Sequence, residues 1–219
     1  MAPVLSDEQI VPVLADLFGA GFETSSITLY WGLAYLVKYP DVQRQLHDEL
    51  DEVVGRQRLP TLQDIASLPL LQATVYELLR VTSLVPLAMP RSTTTETSIR
   101  GFTIPKGTVV FINLWSVHRD PEAWQDPEVF NPKRFLDGTG QLIDPKFFGG
   151  FLPFSGGRRK CPGEALVLKS VTCFLGALLH CFRFTQDGLP AEYQGINLQG
   201  QYGLILLPEK FFVRLEERP

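Results

Sequence analysis

Phe151-Leu-Pro-Phe-Ser-Gly-Gly-Arg-Arg-Lys-Cys161-Pro-Gly-Glu-Ala165 is the stretch on which the reading of this chain turns. A glycine-rich turn delivers Cys161 directly before a helix that the apolar pattern extends from about Pro162 to Cys181. Three basic residues, Arg158 to Lys160, stand just upstream. A helix N-terminus and nearby cations both favour thiolate over thiol. Gly156 and Gly157 admit backbone angles closed to other residues, and Gly163 lets something flat approach closely. A thiolate presented in this way is a nucleophile or a metal ligand.

A phosphatase-like nucleophile needs an arginine at the position that Val167 occupies, so that reading fails. Zinc needs further Cys or His at ligand spacing, and His47, His118 and His180 are scattered. A single thiolate suits the axial position of a haem iron. A buried structural cysteine is the plain alternative. Cys173 and Cys181 lie on one helix, too far apart to bond each other, and read as ordinary core residues.

Outward from this loop, short strands are predicted near Phe182–Thr185 and Phe211–Leu215. Upstream, residues 119–150 are dense in Pro, Asp and Gly and read as irregular connections. Val109-Val110-Phe111-Ile112 is the clearest strand, with Gly101 to Gly107 separating short β-rich runs. Met89 and Phe111 read as core. The first half is helical. Ser6 is a plausible N-cap followed by Asp7 and Glu8, and an apolar helix runs on to Pro40. Its opposite face holds Leu29, Leu33 and Leu36, so it reads as buried on all sides in a larger body. Residues 41–54 form a polar helix with one apolar stripe, and a third helix covers roughly Leu70 to Thr82. The fold class is mainly α with small β-sheets, α+β with helix in excess.

The 219 residues, 45% hydrophobic and 20% charged, describe an ordinary globular chain rather than a disordered one. A net charge of −4 supplies no basic field, so no nucleic-acid partner is expected. Three cysteines are too few for a secreted disulfide framework. No signal peptide is read after Met1, and no uninterrupted apolar run reaches the roughly 18 residues needed to span a bilayer.

Two further constellations carry polar groups where apolar residues surround them. Glu77-Leu-Leu-Arg80 is bracketed by Val75, Leu78, Leu79 and Val81, which places an ion pair in an apolar setting. Such a pair needs additional hydrogen bonds to offset desolvation. Ala20-Gly21-Phe22-Glu23-Thr24-Ser25 sets a carboxylate and hydroxyls in an apolar helix. A threonine bonded back to its own helix is the plain reading; a functional groove beside Ala20 and Gly21 is the other.

Phe154-x-x-Gly157-x-Arg159-x-Cys161-x-Gly163 resembles the haem-binding signature of the cytochrome P-450 family of haem-thiolate monooxygenases at every defined position. The resemblance spans essentially the whole chain and lies nearest the animal microsomal aryl-hydrocarbon and steroid 17- and 21-hydroxylases. It implies one partial domain over residues 1–219, beginning at the family's long central helix, with haem b as cofactor and Cys161 as iron ligand. Arg91 and Arg159 are implied partners of the haem propionates, beside the signature residues Phe154, Gly157 and Gly163. Arg134, from Phe130-Asn-Pro-Lys-Arg-Phe135, is implied to close a structural triad with Glu77 and Arg80. Thr24 would hydrogen-bond activated dioxygen in a locally kinked helix, and Glu23 would relay protons from solvent.

Substrate contacts are implied for Ala20, Gly21 and Thr24, the Leu84–Ala88 turn with Val85 and Ala88, and the 202–205 segment with Leu204. These are mostly apolar or small, so a lipophilic substrate is expected. The implied partners are O₂ and an NADPH-dependent flavoprotein reductase, met by Arg158 and Lys160. The implied location is the cytoplasmic face of the endoplasmic reticulum membrane, through an N-terminal half not in this chain. Family members are roughly twice as long, so a catalytically silent truncated piece is the alternative to a monooxygenase. An isomerase- or dehydratase-type member is a third reading, disfavoured by Glu23 and Thr24.

Overall fold

A computed structural model describes residues 6–219; the reading that no signal peptide follows Met1 falls outside them. The first helix, α1, spans Asp7–Lys38, and the Ser6 N–H donates to Gln9 Oε1 at 3.1 Å where the sequence predicts the cap. Helix α2 (Pro40–Val53) opens with a proline, which has no N–H to leave unsatisfied there. It buries Gln43, Leu46, His47 and Leu50 as one stripe. Helix α3 (Pro69–Thr82) is capped from α2: Glu49 accepts the N–H groups of Leu70 and Leu71 at 2.7 and 2.9 Å. After a short helix α4 (Leu114–Val117) and a long irregular stretch, α5 (Glu164–Cys181) completes the helical body.

Among the described residues the sheets are three separate antiparallel pairs. Strand β1 (Arg91–Ser92) pairs with β4 (Val109–Val110), β2 (Thr97–Ile99) with β3 (Phe102–Ile104), and β5 (Phe182–Thr185) with β6 (Arg214–Glu217). The turn joining β2 to β3 has Arg100 and Gly101 both at positive φ, 49° and 85°, the twist that suits a two-residue hairpin. Gln43 ties α2 to β5, exchanging hydrogen bonds of 2.7 and 3.0 Å with the Phe184 backbone.

The core forms where the second half of α1 crosses α3 and α5. Trp31, Leu36, Leu46, Leu50, Leu71, Leu78, Leu175 and Leu179 are at most 1% exposed. Gly32 makes this crossing close, since a Cβ there would lie 3.3 Å from Leu78 and 3.6 Å from Leu175. A second apolar cluster gathers Ala73, Trp124 and Phe135 against Tyr76, Phe148 and Phe151, beneath the cysteine loop.

Several expectations need correction. The strand predicted over Val109–Ile112 stops at Val110, and Phe102–Ile104 is itself a strand rather than a separator. The last strand lies at Arg214–Glu217 instead of starting near Phe211. Pairings this short leave little alternation to read. Leu36 is fully buried and Leu29 and Leu33 pack on the core, whereas the first half of α1 is exposed all round. Val11, Leu14, Phe18 and Phe22 are 59–76% exposed. Met89 and Phe111, read as core, are exposed at 62% and 56%. Finally, α1 and α5 each contain an 18-residue window long and apolar enough to cross a membrane by length and composition. Uninterrupted runs miss such windows, which tolerate two charges.

Candidate functional site

A densely hydrogen-bonded polar structure is built on α3. Glu77 and Arg80 are both fully buried. Arg80 meets the carboxylate through Nε at 2.8 Å and Nη2 at 2.9 Å, the fork geometry that guanidinium and carboxylate share. Arg134 Nε reaches Glu77 Oε1 at 3.0 Å, and the Asn131 N–H donates to the same oxygen at 2.9 Å. The remaining guanidinium donors find carbonyls: Arg80 Nη1 on His118 at 2.6 Å, Arg134 Nη1 on Gln125 at 2.9 Å and Nη2 on Val129 at 3.0 Å. The Arg80 guanidinium also lies over the Trp124 ring, 5.2 Å from its centroid. The sequence's three charged residues are therefore brought together, and the loop over 118–135 supplies the hydrogen bonds that a buried pair needs.

His118 is the residue that sequence reasoning missed. It is fully buried, with Nδ1 2.9 Å from Ser83 Oγ and Nε2 accepting the Leu152 N–H at 3.1 Å. Burial, with Arg80 and Arg119 near, pushes its pKa down to about 3. Val117-His118-Arg119-Asp120-Pro121 reads only as a turn, and its contact with α3 exists only in the folded chain.

The cysteine loop follows immediately. Ser155 and Gly157 both take positive φ, 62° and 72°, and a 3₁₀ turn over Gly157–Arg159 carries the chain to Cys161. The Cys161 N–H donates to the Phe154 carbonyl at 3.0 Å, closing the loop and leaving the thiol exposed before α5. A Cβ on Gly163 would stand 3.8 Å from the Cys161 sulfur, and one on Gly156 would meet nothing within 4 Å. The Cys161 sulfur thus lies beside Gly163, with open space around Gly156. Arg91, half-buried at the start of β1, reaches over to Ser155 Oγ at 2.8 Å and the Gly156 carbonyl at 3.4 Å. Arg158 and Arg159 are exposed and enter no ion pair among the described residues. Lys160 is paired with Glu164 one turn on, so it is a less available charge than Arg158.

The α1 motif is placed differently. The helix is unbroken through Ala20–Ser25, without the local opening that the resemblance implied. Thr24 Oγ1 donates to the Ala20 carbonyl at 2.7 Å, and Ser26 and Thr28 return to Phe22 and Thr24 in the same way. Hydroxyls satisfied within the helix do not require it to open. Glu23 and Ala20 are exposed, Gly21 and Thr24 half-buried. No hydrogen bond joins this stretch to the cysteine loop. The other two expected substrate segments do meet: the Leu206 N–H donates to the Leu84 carbonyl at 2.8 Å, and Trp31 Nε1 of α1 donates to the Leu206 carbonyl at 2.9 Å. Val85 is half-buried and Leu204 is 62% exposed, but Ala88 is 4% exposed and faces the interior.

An exposed thiol at a helix start, small residues around it and arginines within the same loop fit a flat anionic macrocycle ligated through one sulfur. Among the described residues no three His, Cys, Asp or Glu side chains converge as a site for an ion held by the protein alone.

The cytochrome P450 family model matches residues 2–214. The chain is 42% identical over 215 residues to a steroid 17-alpha-hydroxylase/17,20 lyase of Oryzias latipes, covering 98% of this chain and 41% of that protein. It is 42% identical over 212 residues to cytochrome P450 2U1 of Homo sapiens, covering 97% and 38%. Against cytochrome P450 1A1 of Limanda limanda it is 41% identical over 202 residues, covering 92% and 38%. The chain thus spans about two-fifths of the length of these relatives. With a family match over residues 2–214 and relatives 41–42% identical over 92–98% of its length, the chain belongs to the cytochrome P450 family.

Proposed function

We propose that the protein carrying this chain is a haem-dependent monooxygenase that inserts one atom of O₂ into a lipophilic, steroid-like or aromatic, substrate. The observation that carries this reading is the cysteine loop, which exposes one thiol at a helix start beside Gly163 and unpaired arginines. Haem b held there would supply dioxygen binding and reductive O–O cleavage, promoted by electron donation from a thiolate. Cys161 would be that thiolate. Arg91, through its reach to Ser155, and Arg159 would hold the propionates, a geometry that forked guanidinium donors suit. Glu77, Arg80 and Arg134 hold the fold beneath the loop rather than touching the cofactor.

Thr24, whose hydroxyl bonds the Ala20 carbonyl, would hold a proton at Oγ1, and exposed Glu23 would exchange it with solvent. Val85, Ala88 and Leu204 belong to the segments that would line the substrate's side. Electrons would come from an NADPH-dependent flavoprotein reductase docking near Arg158. The proposed location is the endoplasmic reticulum membrane, facing the cytoplasm.

The test is Cys161→Ser in the full-length protein. The unaltered protein is expected to give a red-shifted, thiolate-type Soret band in the reduced carbon monoxide difference spectrum, and the variant to lose it. Retention of that band by the variant removes the assignment.

A second reading has its own observation. Val11, Leu14, Phe18 and Phe22 expose large apolar side chains on the first half of α1. At about 25 cal/mol per Å² and about 100 Å² each, covering them is worth about 10 kcal/mol. Residues 1–219 expressed alone with haem are therefore expected to aggregate and to be catalytically silent. A monomer with stoichiometric haem and a cooperative melt would overturn this second reading.

A further inference from the structure

We propose that His118 is a positioning residue through which the buried Glu77–Arg80 pair holds the cysteine loop, an inference that rests on the haem-thiolate reading above. The hydrogen bonds assign the imidazole one state. A backbone N–H can only donate, so the Nε2 that faces the Leu152 N–H at 3.1 Å carries a lone pair. The ring proton is therefore on Nδ1, which donates to Ser83 Oγ at 2.9 Å. The Ser83 hydroxyl has one hydrogen, and it goes to the Arg80 carbonyl at 3.0 Å. Its second lone pair takes Arg119 Nη1 at 3.3 Å. From the other side, Arg80 Nη1 donates to the His118 carbonyl at 2.6 Å.

His118 is thus gripped twice by one residue. The Arg80 side chain holds its backbone, and the Arg80 carbonyl, through Ser83, holds its ring. Both ring nitrogens are used and the side chain is fully buried, so tautomer and orientation have no freedom. The far end of the ring continues into the loop by backbone bonds alone. Leu152 takes the ring on its N–H and accepts the Ser155 N–H on its carbonyl at 2.9 Å, while Phe154 accepts the Cys161 N–H at 3.0 Å. A protonated ring would oppose N–H to N–H at Leu152. The low pKa, about 3, keeps the acceptor in place throughout the neutral range.

The experiment uses the full-length, haem-loaded protein and compares His118→Gln, His118→Asn and His118→Phe. A glutamine oxygen reaches the position of Nε2, an asparagine extends only as far as Nδ1, and phenylalanine keeps the ring volume without either nitrogen. The readouts are hydrogen exchange at the Leu152 amide and survival of the thiolate-type carbon monoxide band on warming. Asn and Phe are expected to speed Leu152 exchange about ten- to hundredfold and to lose the band at lower temperature. Gln is expected to restore both. Unchanged exchange and band in Asn and Phe, or a Gln variant no better than Asn, overturns the proposal. If the Phe variant does not fold, the Gln–Asn comparison decides alone. A wild-type protein without a thiolate-type band would defeat the monooxygenase reading, while Leu152 exchange would still decide whether the imidazole holds the loop.

Discussion

Helices α1 and α3 both carry charges and hydroxyls among apolar neighbours, and they satisfy them in opposite ways. On α3, Glu77 and Arg80 are fully buried and every partner beyond each other comes from residues 118–134, far along the chain. In the middle of α1, the Thr24 and Ser26 hydroxyls bond carbonyls of their own helix and Glu23 faces water. A buried charge is fixed by distant partners and costs a great deal to disturb. An exposed hydroxyl closed on its own turn costs little to change, and it can be recruited by whatever is placed beside it. The first region specifies the fold, and the second is left available for chemistry.

The largest expected effect breaks the α3 side of that contrast. Glu77→Ala strips the acceptor from Arg80, Arg134 and Asn131 at once and leaves a buried cation uncompensated. Denaturant unfolding should show a loss of about 3–5 kcal/mol. A loss below about 1 kcal/mol would mean that water or rearranged carbonyls already stabilise the arginines. Next, Gly200→Ala probes where α1 changes from exposed to packed. Gly200 has φ of 70°, and a Cβ there would lie 2.7 Å from both the Leu207 carbonyl and the Trp31 ring. The cost should be about 1–3 kcal/mol, read as a lower midpoint at unchanged slope. An unchanged midpoint would show that both the Leu207 carbonyl and the Trp31 ring can shift to admit the methyl.

A smaller, pH-dependent effect follows from His118. Its folded pKa, about 3, lies below its unfolded value near 6.5, so the unfolded state binds the proton first as pH falls. The associated stability is complete above about pH 6.5 and is lost progressively towards pH 3, by up to about 1.4 kcal/mol per pH unit. His47, lowered to about 4 by burial and Arg218, acts in the same direction. Glu49, raised by burial, opposes it in the carboxylate range, so the cleanest window is pH 6.5 to 5. Removing the imidazole with His118→Gln should reduce the slope in that window to the part that His47 supplies; an unaltered slope would place the titration elsewhere. The smallest effect is Thr24→Ala, whose stability should stay within about 0.5 kcal/mol. A larger loss would show that the hydroxyl stitches α1 together and is not available for proton transfer.

The helices were legible because amphipathic period and proline punctuation reach across many residues, as at Pro40 and Pro69. Glu77 and Arg80 were legible because charges bracketed by Val75, Leu78, Leu79 and Val81 demand partners. His118 was not legible: a lone histidine in a turn has no period, and its partners Ser83 and Leu152 are more than 30 residues away on either side. The exposed half of α1 was misjudged for a related reason. Apolar pattern says which residues seek cover, not which of them the rest of the chain reaches. Two-residue strands such as β1 and β4 carry no alternation, so their limits were set by hydrogen bonds that only the folded chain displays.

The bond from Trp31 to Leu206, and from Leu206 to Leu84, has an evolutionary consequence. Those two links fix the 202–206 segment to the helical body directly, without passing through the largely exposed stretch over residues 187–194 that precedes it. Lengthening such a stretch carries only a slow entropic cost, about 0.6 kcal/mol per doubling. Insertions and deletions there can accumulate in descendants of this gene while the segment around Leu204 keeps its place. Divergence in loop length is thereby uncoupled from divergence in the packing of that segment, and each can be selected without disturbing the other.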